Sequence, residues 1–239
     1  MFKVICRAFL ALLILIFFFS SCKKRADNPP LASKTIIDNF TLGVDNWIGD
    51  FADYPNDPIE VPQYQLQFSH TNLPLPLNTS DGALRQSGKN MSDDLFMFIK
   101  KKVTGLTPDR NYTVEFQVDF ATNAASNMIG IGGAPGEGVN IKAGAASIEP
   151  TKVLNTTENW YRMNIDKGNQ SIGGTDMKVI GDFANGTDQN VYKIKKLTTA
   201  IPVSVKANQL GEIWLIIGTD SGFEGLSTIY YNSIQAIIK

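Results

Sequence analysis

Residues 112–120 constrain the fold more than any other part of the sequence. Tyr, Val, Phe, Val and Phe alternate there with Thr, Glu, Gln and Asp. A period of two places the apolar set on one side of an extended strand and the polar set on the other. From Thr35 onward, no stretch carries apolar residues at the i, i+3, i+4, i+7 spacing of an amphipathic helix over three turns. The sequence therefore predicts an all-β domain.

Nine further apolar or alternating runs are predicted to be strands, and clusters of Gly, Asn, Asp and Pro separate them. These runs are 64–68, 95–103, 128–131, 139–142, 161–165, 191–197, 202–205, 212–218 and 228–238. Many strands with turns between them are typical of two antiparallel sheets packed face to face. We predict a single β-sandwich domain over residues 35–239, a length at which one core can bury enough surface.

The first 21 residues are predicted to be a signal peptide. Lys3 and Arg7 supply positive charge, and residues 8–19 are twelve apolar residues in a row, fewer than the ~20 that span a bilayer. Phe19-Ser20-Ser21-Cys22 resembles a bacterial lipobox, with Phe where Leu is usual, and the signal is similar to those of lipoproteins from Bacteroidota. The resemblance implies a lipidated Cys22. The alternative is an ordinary cleaved signal followed by an unpaired cysteine.

Residues 22–34 are predicted to be the lipidated cysteine and a flexible tether, because they are polar and show no periodicity. Lys23 follows the cysteine where some inner-membrane lipoproteins have Asp, which favours the outer membrane of the cell envelope. Whether the domain faces the periplasm or the medium stays open. The membrane is therefore an expected partner through the lipid anchor.

Composition excludes several classes of function. The 22 Lys and Arg residues balance 23 Asp and Glu residues, so the chain has no basic field for nucleic acid. One histidine, His70, excludes a His-rich zinc site and argues against a Ser/His/Asp triad. The two cysteines, Cys6 and Cys22, are too few for a disulfide scaffold. Residues 130–138 are rich in glycine but lack the Lys of a phosphate loop, and we interpret them as a turn.

Three segments carry a family resemblance. Ile-Asp-Asn-Phe at 37–40 with Asp-Asn-Trp at 45–47, residues 103–112, and Tyr-Tyr-Asn-Ser-Ile at 230–234 resemble galactose-binding-like and carbohydrate-binding-module-like jelly rolls. The resemblance implies a jelly roll whose last strand pairs beside the first, with Trp47 packed inside. It also implies one structural calcium ion near that pairing, with Asp38 and Asn232 as ligand positions. Thr41 stands where the family often has a Glu ligand.

A carbohydrate site needs an aromatic platform together with donors and acceptors for hydroxyl groups. Trp160 follows a polar run and is expected to be exposed, whereas Trp214 lies in an apolar run and is expected in the core. The other candidate ligand-binding residues come from two turn-rich segments: Asp53, Tyr54, Asp166, Lys167, Asn169 and Gln170. A site is expected if residues 50–54, 164–170 and 182–185 converge.

Three functions stay open at this point. The first is a lipid-anchored module that binds a carbohydrate without cleaving it. The second is a polysaccharide-active glycosidase or lyase, with Asp93-Asp94, Asp166-Lys167, Asp119 and Glu224 as acidic candidates and Tyr161 and Arg162 as further groups. The third is a structural or assembly lipoprotein with no small ligand. The chain has no nucleophile motif, histidine pair or separate catalytic domain, which favours binding or structure over catalysis.

Overall fold

The computed structural model describes residues 33–92 and 94–239. The predicted signal peptide, Cys22 and nearly all of the tether lie outside these residues. The described part forms seventeen strands and a 3-10 turn at Val61–Tyr64. The strands are β1 (Lys34–Asp38), β2 (Ile48–Ala52), β3 (Tyr54–Pro55), β4 (Gln67–Asn72), β5 (Gly82–Lys89), β6 (Leu95–Val103), β7 (Asn111–Thr122), β8 (Val139–Ala146), β9 (Lys152–Asn155), β10 (Trp160–Met163), β11 (Gly168–Asn169), β12 (Ile172–Gly173), β13 (Met177–Asp182), β14 (Lys193–Thr198), β15 (Val203–Lys206), β16 (Ile213–Ser221) and β17 (Leu226–Ile238).

The larger sheet has seven antiparallel strands built around β7 and β17. Its order is β14-β7-β17-β5-β4, and two short strands extend it. β1 pairs with the second half of β17, from Lys34 opposite Ile238 to Asp38 opposite Ile234, while β5 pairs with the first half. β14 and β15 likewise share one side of β7. The expected pairing of the last strand beside the first is present.

The smaller sheet has five antiparallel strands in the order β13-β8-β16-β6-β2. All nine residues of its central strand β16 are buried. One side of this sheet, which we call the inner side, packs on the seven-stranded sheet. Leu95, Met97 and Ile99 of β6 lie on it, each no more than 1% exposed, and a Cβ on Gly88 of β5 would clash with the first two. Trp47 and Trp214 are also buried, as expected.

The other side of the smaller sheet, the outer side, is covered mainly by residues 147–176 between β8 and β13, which we call the covering segment, and β3 pairs with β10 of this segment. Phe96 and Phe98 point to this side, where they form a buried cluster with Ala52, Met177 and Ile216. Met163 and Ile165, from the connection between β8 and β13, pack against the cluster. Alternate side chains of β6 thus belong to two separate apolar layers, one between the sheets and one beneath this covering segment.

These observations confirm the all-β, antiparallel two-sheet sandwich, and they correct some strand predictions. Residues 128–131 form an irregular segment and no strand; the chain bends directly after them at Gly132, whose φ is 70°. Residues 64–68 split into the 3-10 turn and β4, since Gln65 adopts a left-handed φ of 51°. The strands β2, β3, β5, β9, β11, β12 and β13 were not predicted from the sequence.

The sandwich has two distinguishable ends. At the Lys34 end lie the start of β1, the end of β17 and the 104–110 loop, whose Thr104 carbonyl accepts a hydrogen bond from Lys34. At the Asp94 end lie the connection between β5 and β6 and the end of β16 at Ser221. Across residues 33–92 and 94–239, no helix is long and apolar enough to cross a membrane.

Candidate functional site

A cleft of about 340 Å3 lies toward the Asp94 end, where the covering segment meets the outer side of the smaller sheet. Four of the candidate residues named from the sequence line it: Asp53, Asp166, Lys167 and Asn169. Its remaining lining residues are Asp94, Arg162, Met163, Ile165 and Gly168. The segments 50–54 and 164–170 therefore converge, which meets the sequence-based criterion for two of its three segments.

Beneath the cleft is a buried ion-pair network centred on Asp220. Oδ2 of Asp220 lies 2.7 Å from the Lys142 ammonium and 2.9 Å from that of Lys167, and it accepts the Gln170 amide at 3.0 Å. The Lys142 and Asp220 side chains are both 0% exposed. Lys142 also donates to the carbonyls of Lys167 and Ile172. The network thus fixes the backbone of the covering segment onto β8 and β16.

The pKa values of the two lysines differ because their partners differ. Burial lowers the pKa of Lys142, and this effect outweighs the opposing attraction of Asp220. Burial also acts to lower the pKa of Lys167, but the carboxylates of Asp220 and Asp53 together outweigh it, so that pKa is raised. Lys167 therefore stays charged, with its Nζ 3.0 Å from Asp53 Oδ2.

Asp53 is buried because its backbone turns sharply at the end of β2. Its φ is 60°, and its amide donates to the Tyr161 carbonyl at 2.7 Å. Its carboxylate, 4% exposed, reaches both Lys167 and Arg162, whose Nη1 lies 3.2 Å from Oδ1. Asp or Asn tolerates this left-handed conformation better than most residues. Asp53 therefore joins the two cations of the cleft.

Arg162 forms the wall of the cleft. Its Nη1 donates to Asp94 Oδ2 at 3.0 Å as well as to Asp53, and its Nε donates to Glu158 at 3.1 Å. Because Asp53 and Asp94 accept from the same nitrogen, their carboxylates are close together. Burial raises the pKa of Asp94 to about 6, and the neighbouring Asp53 carboxylate adds to this effect against Lys167 and Arg162.

The 164–176 turn places the exposed polar groups of the cleft. The Asp166 carboxylate accepts the amides of Thr175 at 2.7 Å and Gly168 at 3.1 Å, and these bonds lower its pKa. Asn169 is exposed and lines the cleft. Gln170 adopts a φ of 45° and contributes its backbone amide to Asp220. Asp166 and Gln170 thus help to hold the turn itself.

Trp160 differs in part from the expectation of an exposed platform. It is half-buried, and its ring borders a second hollow of about 250 Å3 with Tyr64, Met91 and Ser92. The Arg162 guanidinium lies 5.4 Å from the centre of its ring. Because Trp160 and Arg162 are two residues apart on β10, they face the same side and form a wall common to the cleft and the hollow. Part of the indole is accessible to a ligand.

Tyr54 does not lie in an accessible loop, contrary to the expectation from its turn-rich segment. It is 5% exposed on β3, with its ring 5.1 Å from that of Tyr161 and 6.0 Å from that of Tyr64. Lys152 donates to its hydroxyl at 2.8 Å. Pairing of β3 with β10 turns this side chain inward. Tyr54 supports the wall of the cleft from behind.

The proposed calcium positions lie near the pairing of β1 with β17. Oδ2 of Asp38 accepts hydrogen bonds from Trp47 Nε1 at 2.9 Å and from Lys101 at 2.7 Å. Asn232 Nδ2 lies 3.5 Å from the Gly82 carbonyl. No group of three or more His, Cys, Asp or Glu side chains within the described ranges is placed to hold a metal ion. The calcium site stays a prediction.

Some groups of the site were not found from the sequence, and one predicted segment does not join it. Lys142 and Asp220 were missed, although a charged residue inside an apolar strand is the signal that could have revealed them. In the 182–185 segment, Asp182 pairs with Lys195 and the Phe183 ring stacks on Phe120. Asp93, one of the acidic candidates, lies outside the described residues.

No protein-family model matches the sequence, and no curated protein matches it. Solved structures with a similar chain course include the enzymatically active domain of bacteriophage CBA120 tailspike protein 4 (12% identity, TM-score 0.32) and Clostridium thermocellum xylanase 10B with its CBM22-1 and GH10 modules (13%, TM-score 0.39). They also include the C. thermocellum family 11 carbohydrate-binding module (11%, TM-score 0.38).

These similarities cover 80%, 85% and 85% of this chain, respectively. The chain spans 19% of the tailspike chain, 28% of the xylanase chain and 94% of the family 11 module. At these identities and TM-scores, the similarities assign neither a ligand nor an activity to this protein. The β-sandwich is established by its own strand pairing.

Proposed function

We propose that this protein is a lipid-anchored module of the bacterial cell envelope that binds a carbohydrate without cleaving it. The observation that carries the proposal is the cleft lined by Asp53, Asp94, Arg162, Lys167 and Asn169. Its polar groups are held by ion pairs and lie beside a partly accessible tryptophan. Carbohydrate recognition needs fixed donors and acceptors for hydroxyl groups and an apolar surface for the sugar ring.

The ion-pair network supports binding because it holds these groups before a ligand arrives. Asp220 ties Lys167 and the Gln170 amide to β16, and Asp53 ties Lys167 and Arg162 to the end of β2. Side chains that are fixed in advance lose less conformational entropy on binding. A rigid open cleft of this kind suits a glycan that binds weakly and is not cleaved.

The proposed anchor and the cleft belong to different parts of the chain. The described chain begins beside the Lys34 end, and the cleft lies toward the Asp94 end. A lipid anchor at Cys22 would hold many copies of the cleft at one membrane. Many copies on one membrane can gain 10²–10⁴-fold in avidity where geometry allows, so each cleft can bind weakly.

The test is a glycan-array screen of the full chain in mild detergent, with a Trp160→Ala variant beside the natural sequence. The natural chain should bind one group of related glycans, and Trp160→Ala should lose that binding. Because Trp160 is half-buried, the variant should also lose about 1–2 kcal/mol of unfolding free energy. Circular dichroism at the assay temperature checks that it is folded. Binding that survives the substitution, or no binding by either chain, would reject the proposal.

A Cys22→Ser variant tests the anchor separately. It should lose palmitate labelling and membrane fractionation while it keeps the same β-sheet circular dichroism spectrum. Labelling that persists in Cys22→Ser would show that the anchor was assigned to the wrong residue.

One observation favours the enzymatic alternative. The Asp94 carboxyl has a pKa of about 6, suited to a general acid, and it shares Arg162 with a second carboxylate, Asp53. Against catalysis, Asp53 is 4% exposed and each of its oxygens lies beside a cation. The alternative predicts new reducing ends, or an unsaturated product, from a polysaccharide that the array identifies. Asp94→Asn should then abolish product formation.

A further inference from the structure

We propose that the cleft takes neutral glycans and rejects acidic ones, meaning polymers that carry carboxylate or sulfate groups. This inference rests on the proposed carbohydrate-binding function and names the chemical class of its ligand. It follows from how the charges of the cleft are paired and from which of them a ligand would meet.

Each cation that lines the cleft already has carboxylate partners of its own. Arg162 contacts the carboxylates of Asp53, Asp94 and Glu158 at 3.0–3.2 Å. Lys167 contacts those of Asp53 and Asp220 at 3.0 and 2.9 Å. An incoming anion would either displace one of these carboxylates or bind at the remaining N–H groups of the guanidinium against their repulsion, and in both cases it would lose its own hydration. The cations therefore offer an acidic glycan no net attraction.

The charges that a ligand meets at the surface are mainly negative. Lys167 and Asp53 form part of the floor of the cleft, and only 8% and 4% of their side chains are exposed. Arg162 is 38% exposed, but around it Asp94 is 26% and Glu158 49% exposed, and Asp166 is also exposed. Lys178 and Asp176, which flank Asp166, add one charge of each sign. Three carboxylates around one guanidinium repel an anion.

Neutral hydroxyl groups suit the same surface. A hydroxyl can donate to the oxygens of Asp94 or Glu158 and can accept from the Arg162 guanidinium or the Asn169 amide. None of these contacts requires an ion pair of the protein to break. Like-charge rejection combined with hydroxyl recognition gives specificity through both an attractive and a repulsive element.

The test is an array of neutral and acidic glycans that includes matched pairs with one backbone, such as methyl-esterified and de-esterified polygalacturonate. The full chain in mild detergent should bind only neutral members. Binding to acidic members alone, or equally to both classes, would overturn this inference and leave carbohydrate binding intact. No binding to any glycan would reject the proposed function and this inference together.

Charge variants test the cause of the discrimination. Glu158→Gln removes a carboxylate whose side chain is 49% exposed, so it should fold normally, and Asp94→Asn removes a second one. Each should raise the affinity for acidic glycans about fivefold, the effect of one unit charge at contact distance in water. Asp109→Asn, which removes an exposed carboxylate at the Lys34 end, is the matched control and should change nothing. Unchanged affinity for acidic glycans in both cleft variants would refute the electrostatic basis.

Discussion

The two sides of the five-stranded sheet bury their side chains by different means. On the inner side, Leu95, Met97 and Ile99 pack against the larger sheet as a dry apolar layer. On the outer side, Phe96 and Phe98 also pack apolar groups, but a fully buried Lys142–Asp220 pair lies next to them. The same strands therefore carry a largely apolar surface on the inner side, with the buried Thr219 as a polar member, and a mixed surface with a buried ion pair on the outer side.

The two sides therefore contribute differently: apolar burial on the inner side stabilises the fold, and the ion pairs on the outer side fix the positions of side chains. Apolar burial on the inner side contributes about 25 cal/mol per Å2 and requires only complementary shape. A buried ion pair contributes little net stability, because desolvation offsets the attraction, but it is satisfied in only one arrangement. On the outer side that arrangement brings residues 142, 167 and 220 together and fixes the wall of the cleft.

The largest expected effect comes from breaking the buried network at its centre. Asp220→Asn would leave the Lys142 ammonium buried without a carboxylate, and we expect a loss of about 3–5 kcal/mol in the free energy of unfolding. Urea denaturation measures it. The matched change on the inner side is Ile99→Val, which removes one methylene and should cost about 0.5–1.5 kcal/mol.

The two variants should also differ in ligand binding. Asp220→Asn should weaken glycan binding under conditions where the protein remains folded, whereas Ile99→Val should leave it unchanged. Two results would contradict this difference between the sides. One is a smaller loss of unfolding free energy in Asp220→Asn than in Ile99→Val, and the other is equal glycan affinity in both variants.

The sequence predicted strands with a regular apolar pattern better than strands that bury polar side chains. Alternation at 112–120 predicted β7, and the apolar run at 95–103 matches β6 residue for residue. β5 was missed because Gln86 and Ser87 interrupt its apolar pattern. Both are buried and bonded to other segments, Gln86 to the carbonyls of Asp50 and Phe98. A local pattern cannot report partners that lie in distant segments.

The residues of the candidate site, like the strands of the fold, were predicted only in part from the sequence. Asp53, Asp166, Lys167 and Asn169 were identified because polar residues in turn-rich loops suit hydroxyl recognition, and all four line the cleft. Lys142 and Asp220 could not be placed, since their burial depends on two strands and a loop meeting in the folded chain. Tyr54 was named a ligand-binding candidate because it lies in a turn-rich segment, yet the short pairing of β3 with β10 buries it.

A calcium ion at Asp38 would place a positive charge beside the inner side of the smaller sheet. We propose this site from the family resemblance, although Lys101 already contacts the Asp38 carboxylate at 2.7 Å. An ion that binds only the folded state stabilises it by about 2.7 kcal/mol at a hundredfold excess over Kd. Calcium added to a metal-stripped sample should therefore raise the melting temperature. A melting curve that stays the same up to millimolar calcium would rule the site out, with magnesium as the control ion.

The smallest expected effect is a pH dependence of the unfolding free energy that arises from Asp94 in the cleft. The pKa of Asp94 is about 6 in the folded chain, against an ordinary value of 3.8. Between these values the folded chain binds more protons than the unfolded chain, so stability falls as the pH rises from about 4 to about 6. Asp94→Asn removes this loss. Relative to the natural chain it should gain about 1–2 kcal/mol across that interval, after allowance for a side chain that is 26% exposed.

Urea midpoints at pH 4.5, 5.5, 6.5 and 7.5 measure this gain for Asp94→Asn, and Asp109→Asn serves as the control. The control removes an exposed carboxylate at the Lys34 end, and its midpoint should differ from that of the natural chain by the same amount at each pH. Asp94→Asn should instead diverge upward as the pH rises, because only the natural chain must ionise a partly buried carboxyl beside Asp53. A parallel course for both variants would mean that Asp94 ionises as freely in the cleft as in the unfolded chain. The Asp94 carboxyl would then contribute no pH dependence of stability between about pH 4 and pH 6.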